Sequence, residues 1–322
     1  MLLIQTAAHP RLLAKFAMNS VLSGVLLSGL LLSGVLLPAS TNANENVLTL
    51  VPENALGFVV VNRLADVSEK LGKHAQELEL PLPDLLMMLK MKLGLTEELN
   101  EKGNLMLALL PPRTGEREPQ PLVALPVSNY EKFIGRFQGD PTSDISEVEV
   151  AGQTVLIAHK NNYAVLVNME NRGALQDLLN STAKSPLAVT SLTKWIGEND
   201  ATVVLLGPGL HLATKEAIQG LETAKEQFEG LELEGGQSEQ VAMALDMYIQ
   251  MLHLVKTEIH TAAEGLRIDE NGNFRFGGRA RFTEGGRWAG LTGVAKSNDT
   301  DLLADLPGLR SAVQHWPSGQ SR

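Results

Sequence analysis

The chain has 322 residues, of which 44 % are hydrophobic, so it can form one large domain or two ordinary domains with a packed core. Its formal net charge of -10 disfavours a nucleic acid partner, because an acidic surface repels phosphates. The sequence contains no cysteine, which excludes disulfides, thiolate nucleophiles and cysteine-ligated zinc.

The first 43 residues have the three parts of a secretory signal peptide. A short basic region is followed by an uncharged, largely apolar stretch over residues 21–37, and Thr41 and Ala43 are small residues before a predicted cleavage site. An uncleaved membrane anchor is the alternative, although an apolar stretch diluted by Ser and Gly is marginal for spanning a bilayer. We therefore predict export to the periplasm or the extracellular space, with no membrane span after cleavage.

Hydrophobic periodicity predicts the elements that follow in the first half of the chain. A buried strand is predicted at 56–61 and an amphipathic helix at 64–78, followed by a helix that starts at Pro83 and ends near Gly94. Strands at 104–111 and 121–128 come next, then a short helix capped by Asn129. The remaining elements are a three-stranded antiparallel meander over 145–167 and short helices over 169–180 and 191–199.

The second half begins with a strand and continues with two long helices. The strand is predicted at 201–206, and the helices, over 210–234 and 238–260, are expected to form an antiparallel hairpin. A final β segment covers 264–296, and Asn271-Gly272 within it is a strong hairpin signal.

The chain repeats one phrase, which bears on its architecture. "ENALGFVVVNRL" begins at Glu53, and "ENDATVVLLGPGL" begins at Glu198. In each half an apolar strand leads into a helix pair and then into antiparallel strands. We predict an α+β fold with antiparallel sheets packed against helices, in two related βααβ-type halves at 44–190 and 191–300, followed by an irregular tail at 301–322. A chance similarity between two common strand–helix patterns is the alternative.

Two motifs suggest a cofactor or a metal, and neither is complete. Gly207 and Gly209 lie between a strand and a helix, but the third glycine of a dinucleotide-binding loop is absent and Pro208 removes a backbone donor. His253 and His260 share one face of a predicted helix near Glu258, at a spacing too long for a two-histidine zinc motif. We predict no cofactor and no metal.

The segment "NFRFGGRARF" predicts a strand with one apolar and one basic face. Phe274 and Phe276 alternate with arginines, and the candidate partner-binding strip consists of Arg275, Arg279, Arg281 and the adjoining Arg287. The simplest interpretation is a half-buried edge hairpin. The functional interpretation is a cationic surface for an anionic envelope polymer or another envelope protein.

The last predicted helix is apolar on more than one side. One stripe, which includes Leu252 and Val255, is expected to enter the core. A second stripe is the candidate apolar contact surface for a partner helix or a soft ligand, and it consists of Met243, Met247, Met251 and Leu254.

Three segments resemble a group of uncharacterised exported proteins of planctomycete-type bacteria. They read "VPENALGFVVVNRLADVSEKL", "LNEKGNLMLALLPP" and "LVALPVSNYEKFIGRF", and the resemblance spans about residues 47–300. It implies export and an α+β fold, and it supplies no catalytic residue.

The sequence thus favours an exported, non-enzymatic binding or scaffolding module of the bacterial cell envelope. Two alternatives stay open. A hydrolase of envelope polymers would assemble its carboxylates only in three dimensions, and a carrier would hold an apolar ligand between the helical hairpin and the sheet.

Overall fold

The computed structural model describes residues 47–77, 79, 84–113, 115–116, 118–181, 187–229, 237–270 and 272–288. The predicted signal peptide and the predicted tail both lie outside this part of the chain.

The centre of the fold is one antiparallel sheet of nine strands, which confirms the α+β class. The strand order is β4-β5-β6-β3-β2-β1-β7-β8-β9, and every neighbouring pair is antiparallel. The strands are β1 (Gly57–Val61), β2 (Leu105–Leu110), β3 (Gln120–Pro126), β4 (Ile145–Val150), β5 (Gln153–Lys160), β6 (Tyr163–Asn168), β7 (Ala201–Leu206), β8 (Ile259–Ile268) and β9 (Phe274–Phe282).

The helices connect these strands along the chain. They are α1 (Leu64–Glu77), α2 (Leu85–Leu93), α3 (Tyr130–Arg136), α4 (Arg172–Asn180), α5 (Leu187–Thr190), α6 (Thr193–Glu198), α7 (Gly207–Glu229) and α8 (Gln237–Glu258), with a 3-10 turn at Met169–Asn171 before α4. Asn129 caps α3 as predicted, since its side chain accepts a hydrogen bond from the backbone of Lys132.

Three predicted boundaries are wrong, each for a local reason. Helix α2 starts one residue after Asp84, because that carboxylate is the N-cap and accepts a 2.8 Å hydrogen bond from the Met87 N–H. Helix α7 starts at Gly207, so the Gly-Pro-Gly sequence is its first turn, where proline lacks only a donor that the helix does not use. Helix α8 stops at Glu258, and Ile259 already belongs to β8.

Both faces of the sheet carry a hydrophobic core. On face 1, β1 contributes Phe58 and Val60 to a core that also contains buried residues from α4 and α6, together with Val47, Leu48, Leu50 and Val51. On face 2, one cluster joins the sheet to α1, α2 and α3, and a second, smaller cluster joins Leu205 and Ala262 to α7 and α8. The face 2 core is therefore divided into two clusters.

The repeated phrase lies at the centre of the sheet. Its strands, β1 and β7, are antiparallel neighbours, and the order β3-β2-β1-β7-β8-β9 places matching strands of the two predicted halves symmetrically about them. Val59 pairs with Val203, so the two halves share one continuous sheet. Val59 and Val203 are 144 residues apart. Side chains alternate between the two faces of a strand, so an even offset between matching residues of the two halves keeps their side chains on the same face. The two quoted phrases begin 145 residues apart, and this odd offset would place matching side chains on opposite faces. The arrangement is the one that a duplication would give, and the duplication itself stays a prediction.

Candidate functional site

The arginines of the predicted strip lie on one face of β8 and β9. Arg275 pairs in register with Arg267, Arg279 with Ala263 and Arg281 with Thr261, so all of these side chains are on face 1. Arg267 is an additional member of this surface that the sequence did not predict, because only the pairing of β8 with β9 places it beside Arg275. We name this surface the arginine face, and it consists of Arg267, Arg275, Arg279 and Arg281.

The members of the arginine face differ in their partners. Arg275 contacts Asp269 at 3.3 Å, and Arg281 lies 3.8 Å from Glu284. Neither Arg267 nor Arg279 has an ion pair with another described residue. Both are exposed, so their guanidinium groups are available to an anion. Arg287 is also exposed, but it lies in the short helical turn after β9 and outside the strand register.

Strand β9 is exposed on both faces over residues 274–280 and half-buried only at Arg281 and Phe282, so it is more exposed than the half-buried hairpin of the simplest interpretation. Phe276 is 71 % exposed and Phe274 is 40 % exposed, although the Phe274 ring makes an edge contact with His74 of α1 at 4.8 Å. In the described part of the chain no strand pairs with the outer edge of β9. An exposed edge strand with a charged face can accept a partner without rearrangement of the core.

The methionine stripe of α8 is at the surface. Met243, Met247 and Met251 are 72 %, 60 % and 41 % exposed, while Leu254 is half-buried. The opposite stripe enters the core at Leu252 and Val255 as expected, but Tyr248, which the same stripe was expected to bury, is 48 % exposed. A similar surface on α2, where two methionines are more than half exposed, was not singled out by the sequence.

The structure separates the residues that suggested a metal. His253 is on α8 and His260 is on β8, so the prediction that they share a helix face is wrong. Among the described residues no group of three or more His, Asp or Glu side chains could hold a metal ion. Gly209 packs its backbone against Leu56 at the start of α7, which accounts for this glycine as a packing requirement.

A buried polar cluster joins β1, β7 and β8, and sequence reasoning missed it. Asp200, which is 1 % exposed, accepts hydrogen bonds of 2.7 Å from Lys70 Nζ and from the backbone N–H of Ile268. Asn62 donates to the carbonyls of Ile196 and Asn199 at 2.7 Å. These contacts tie α1 and the end of β8 to the start of β7. The only signal in the sequence was the acidic-Asn turn before β7, which does not reveal such distant partners.

A second carboxylate has a structural role at the end of α3. The Glu98 side chain accepts hydrogen bonds from the backbone of Thr96 and from Arg136 Nε, both at 2.7 Å. These donors lower the pKa of Glu98 to about 2. The group therefore stays ionised and holds α3 to the loop before β2.

Glu264 is a carboxyl with a different environment. It lies on face 2 of β8 between Val203 and Gly278, half-buried and without a hydrogen bond or ion pair to any residue in the described ranges. Burial raises its pKa above the ordinary value. A half-buried carboxyl with no partner is available to a ligand.

No helix within the described ranges is long and apolar enough to cross a membrane. A comparison of the chain with protein families, curated proteins and solved structures finds no match.

Proposed function

We propose that the protein is an exported, non-enzymatic binding module of the bacterial cell envelope and that it holds an anionic envelope polymer on its arginine face. The observation that supports this proposal is the register of β8 and β9, which aligns three guanidinium groups along one face of the exposed strand β9 and places that of Arg267 on β8 beside them. From Arg275 to Arg281 the strand extends about 20 Å, which suits a chain with repeated negative charges rather than a single small anion.

The charge of the rest of the molecule strengthens this interpretation. The full chain carries a net charge of -10, so a concentration of arginine on one exposed hairpin is a local exception. The aromatic side chains Phe274 and Phe276 lie on the opposite face of β9, so they are not placed to stack on bases beside the arginines. A polymer recognised by charge and spacing fits this surface better than a nucleic acid.

The hydrolase alternative gains no support from the carboxylates of Asp200 and Glu98. Asp200 and Glu98 both accept hydrogen bonds from structural groups, so their oxygens are already used to hold elements together. Neither is placed as a general acid or base.

The test is binding of a fluorescent polyuronate oligosaccharide, measured by anisotropy at low and at physiological salt. The double variant Arg267→Gln/Arg279→Gln removes the two guanidinium groups without ion pairs, and we expect it to lose about tenfold or more in affinity. The control Lys132→Gln/Lys215→Gln changes the net charge equally at two exposed positions on α3 and α7. Equal losses in both variants would show a general charge effect and would refute the proposed surface.

A second probe identifies the partner class. Labelled poly-L-glutamate presents carboxylates on a polypeptide, and we expect it to bind more weakly than the polyuronate. Binding of poly-L-glutamate alone would assign the surface to an acidic protein and would overturn the polymer proposal.

A further inference from the structure

A row of half-buried side chains crosses face 2 of the sheet between its two core clusters. The register places Leu107 of β2, Val59 of β1, Val203 of β7 and Glu264 of β8 side by side, and Gly278 of β9 follows. The first four are half-buried and the glycine is exposed. We name these five residues the middle row.

The opposite face of the same strands is packed differently. On face 1 the neighbouring residues Phe58, Val60, Met106 and Val204 are all at most 1 % exposed. Val59 and Leu107 belong to neither of the two clusters on face 2. Val203 packs at the margin of the smaller cluster. Among the described residues the middle row is therefore covered less completely than the opposite face of the same strands, and least at Val59 and Leu107.

Helices border the middle row on two sides. On one side, Leu205 and Ala262 are buried beneath Leu210 of α7 and Val255 of α8. On the other side, α1 runs from the end of β1 to the β8–β9 turn, where His74 meets Phe274. The middle row is thus the floor of a groove that opens at the exposed edge strand β9.

Among the five residues of the middle row, only Glu264 has a polar side chain. Gly278 stands opposite it and has no side chain to cover it. Glu264 takes part in none of the ion pairs within the described ranges. An unpaired carboxylate among aliphatic side chains destabilises the fold unless something compensates its charge. A cationic group brought by a ligand would supply that compensation, and the acidic body of the protein attracts cations.

We propose that this groove binds an elongated aliphatic ligand with a primary amine, whose ammonium group pairs with Glu264 while its chain lies along Val203, Val59 and Leu107. This site is independent of the arginine face, which lies on the other side of the sheet. The two proposals can therefore fail separately.

Isothermal titration with decylamine, decanol and sodium decanoate tests this site below their micelle concentrations. The three probes have the same chain and differ in the head group. We use the protein purified from its own cells, in the processed form that it has there. We expect decylamine to bind, decanol to bind about tenfold more weakly, and decanoate not to bind, because only the ammonium group forms a charge-assisted hydrogen bond with the carboxylate.

Two variants locate the site. Glu264→Gln keeps the size of the side chain and removes no hydrogen bond or ion pair with a described residue, so we expect it to fold and its affinity for decylamine to fall about tenfold to the level of decanol. Val203→Trp fills the floor of the groove and abolishes binding, with circular dichroism as the check on folding. Glu270→Gln makes the same charge change at an exposed position and leaves binding unchanged.

Absence of decylamine binding would overturn the proposal, as would equal affinity for decylamine and decanoate. An unchanged affinity in Glu264→Gln would place the amine elsewhere and would also refute the assignment.

Discussion

Replacement of Gly209 by alanine tests the packing at the centre of the fold. A β-carbon at this position would lie 1.9 Å from the carbonyl oxygen of Leu56 and 2.7 Å from its carbonyl carbon. That oxygen also accepts the backbone hydrogen bond of Leu206 at 2.9 Å. The clash is with backbone at the junction of β1, β7 and α7, so no side-chain rotation relieves it.

We expect Gly209→Ala to lower the free energy of unfolding by about 3 kcal/mol, because the strand or the helix must move to relieve the clash. This value is at the upper end of the usual cost of adding a carbon atom to a well-packed core. Gly220→Ala is the matched control: it makes the same change in α7 at a position with no atom within 4 Å of the new β-carbon. Alanine there should stabilise the helix by about 1 kcal/mol. Urea denaturation followed by circular dichroism measures both values. Equal stability of the two variants would refute the packing of α7 against Leu56.

Three further changes test other parts of the structure by urea denaturation. Asp200→Ala leaves Lys70 and the Ile268 N–H without their acceptor and should cost about 3 kcal/mol, whereas Asp66→Ala, at an exposed carboxylate, should cost less than about 1 kcal/mol. Glu98→Gln should cost at most about 3 kcal/mol at neutral pH. Since the folded pKa of Glu98, about 2, lies below its ordinary value of 4.5, this difference should disappear as the pH falls from 4.5 towards 2. Met247→Gln should change stability by less than about 0.5 kcal/mol, while Leu252→Ala should cost about 3 kcal/mol, and equal costs would refute the surface position of the methionine stripe.

Local patterns predicted much of the secondary structure. The alternation in "NFRFGGRARF" predicted both faces of β9, because side chains alternate along a strand whatever its surroundings. The Asn-Gly pair predicted the β8–β9 hairpin, since Gly272 adopts a φ of +76° that this turn requires. Asn129 was predicted as a cap from its position before an amphipathic segment.

Features that depend on distant residues were not predicted. The end of α8 at Glu258 follows from the pairing of Ile259 and its neighbours with β9, which outweighs the helical pattern of the sequence. The Asp200 cluster joins residues about 130 positions apart, as its bond to Lys70 shows. Arg267 belongs to the arginine face, and Glu264 belongs to the middle row, only because of strand pairing, which the sequence did not reveal.

Photo-cross-linking in living cells tests the binding function most directly. Gly277 lies in β9 between Arg275 and Arg279 and on the same face as both. A β-carbon added at this position would have no atom within 4 Å. A photoreactive residue at this position should give a high-mass adduct with an anionic polymer, whereas the same residue at Gly135 on α3, equally free of neighbours, should give none. Adducts of equal yield at both positions, or none at Gly277, would contradict a polymer-binding function for this face.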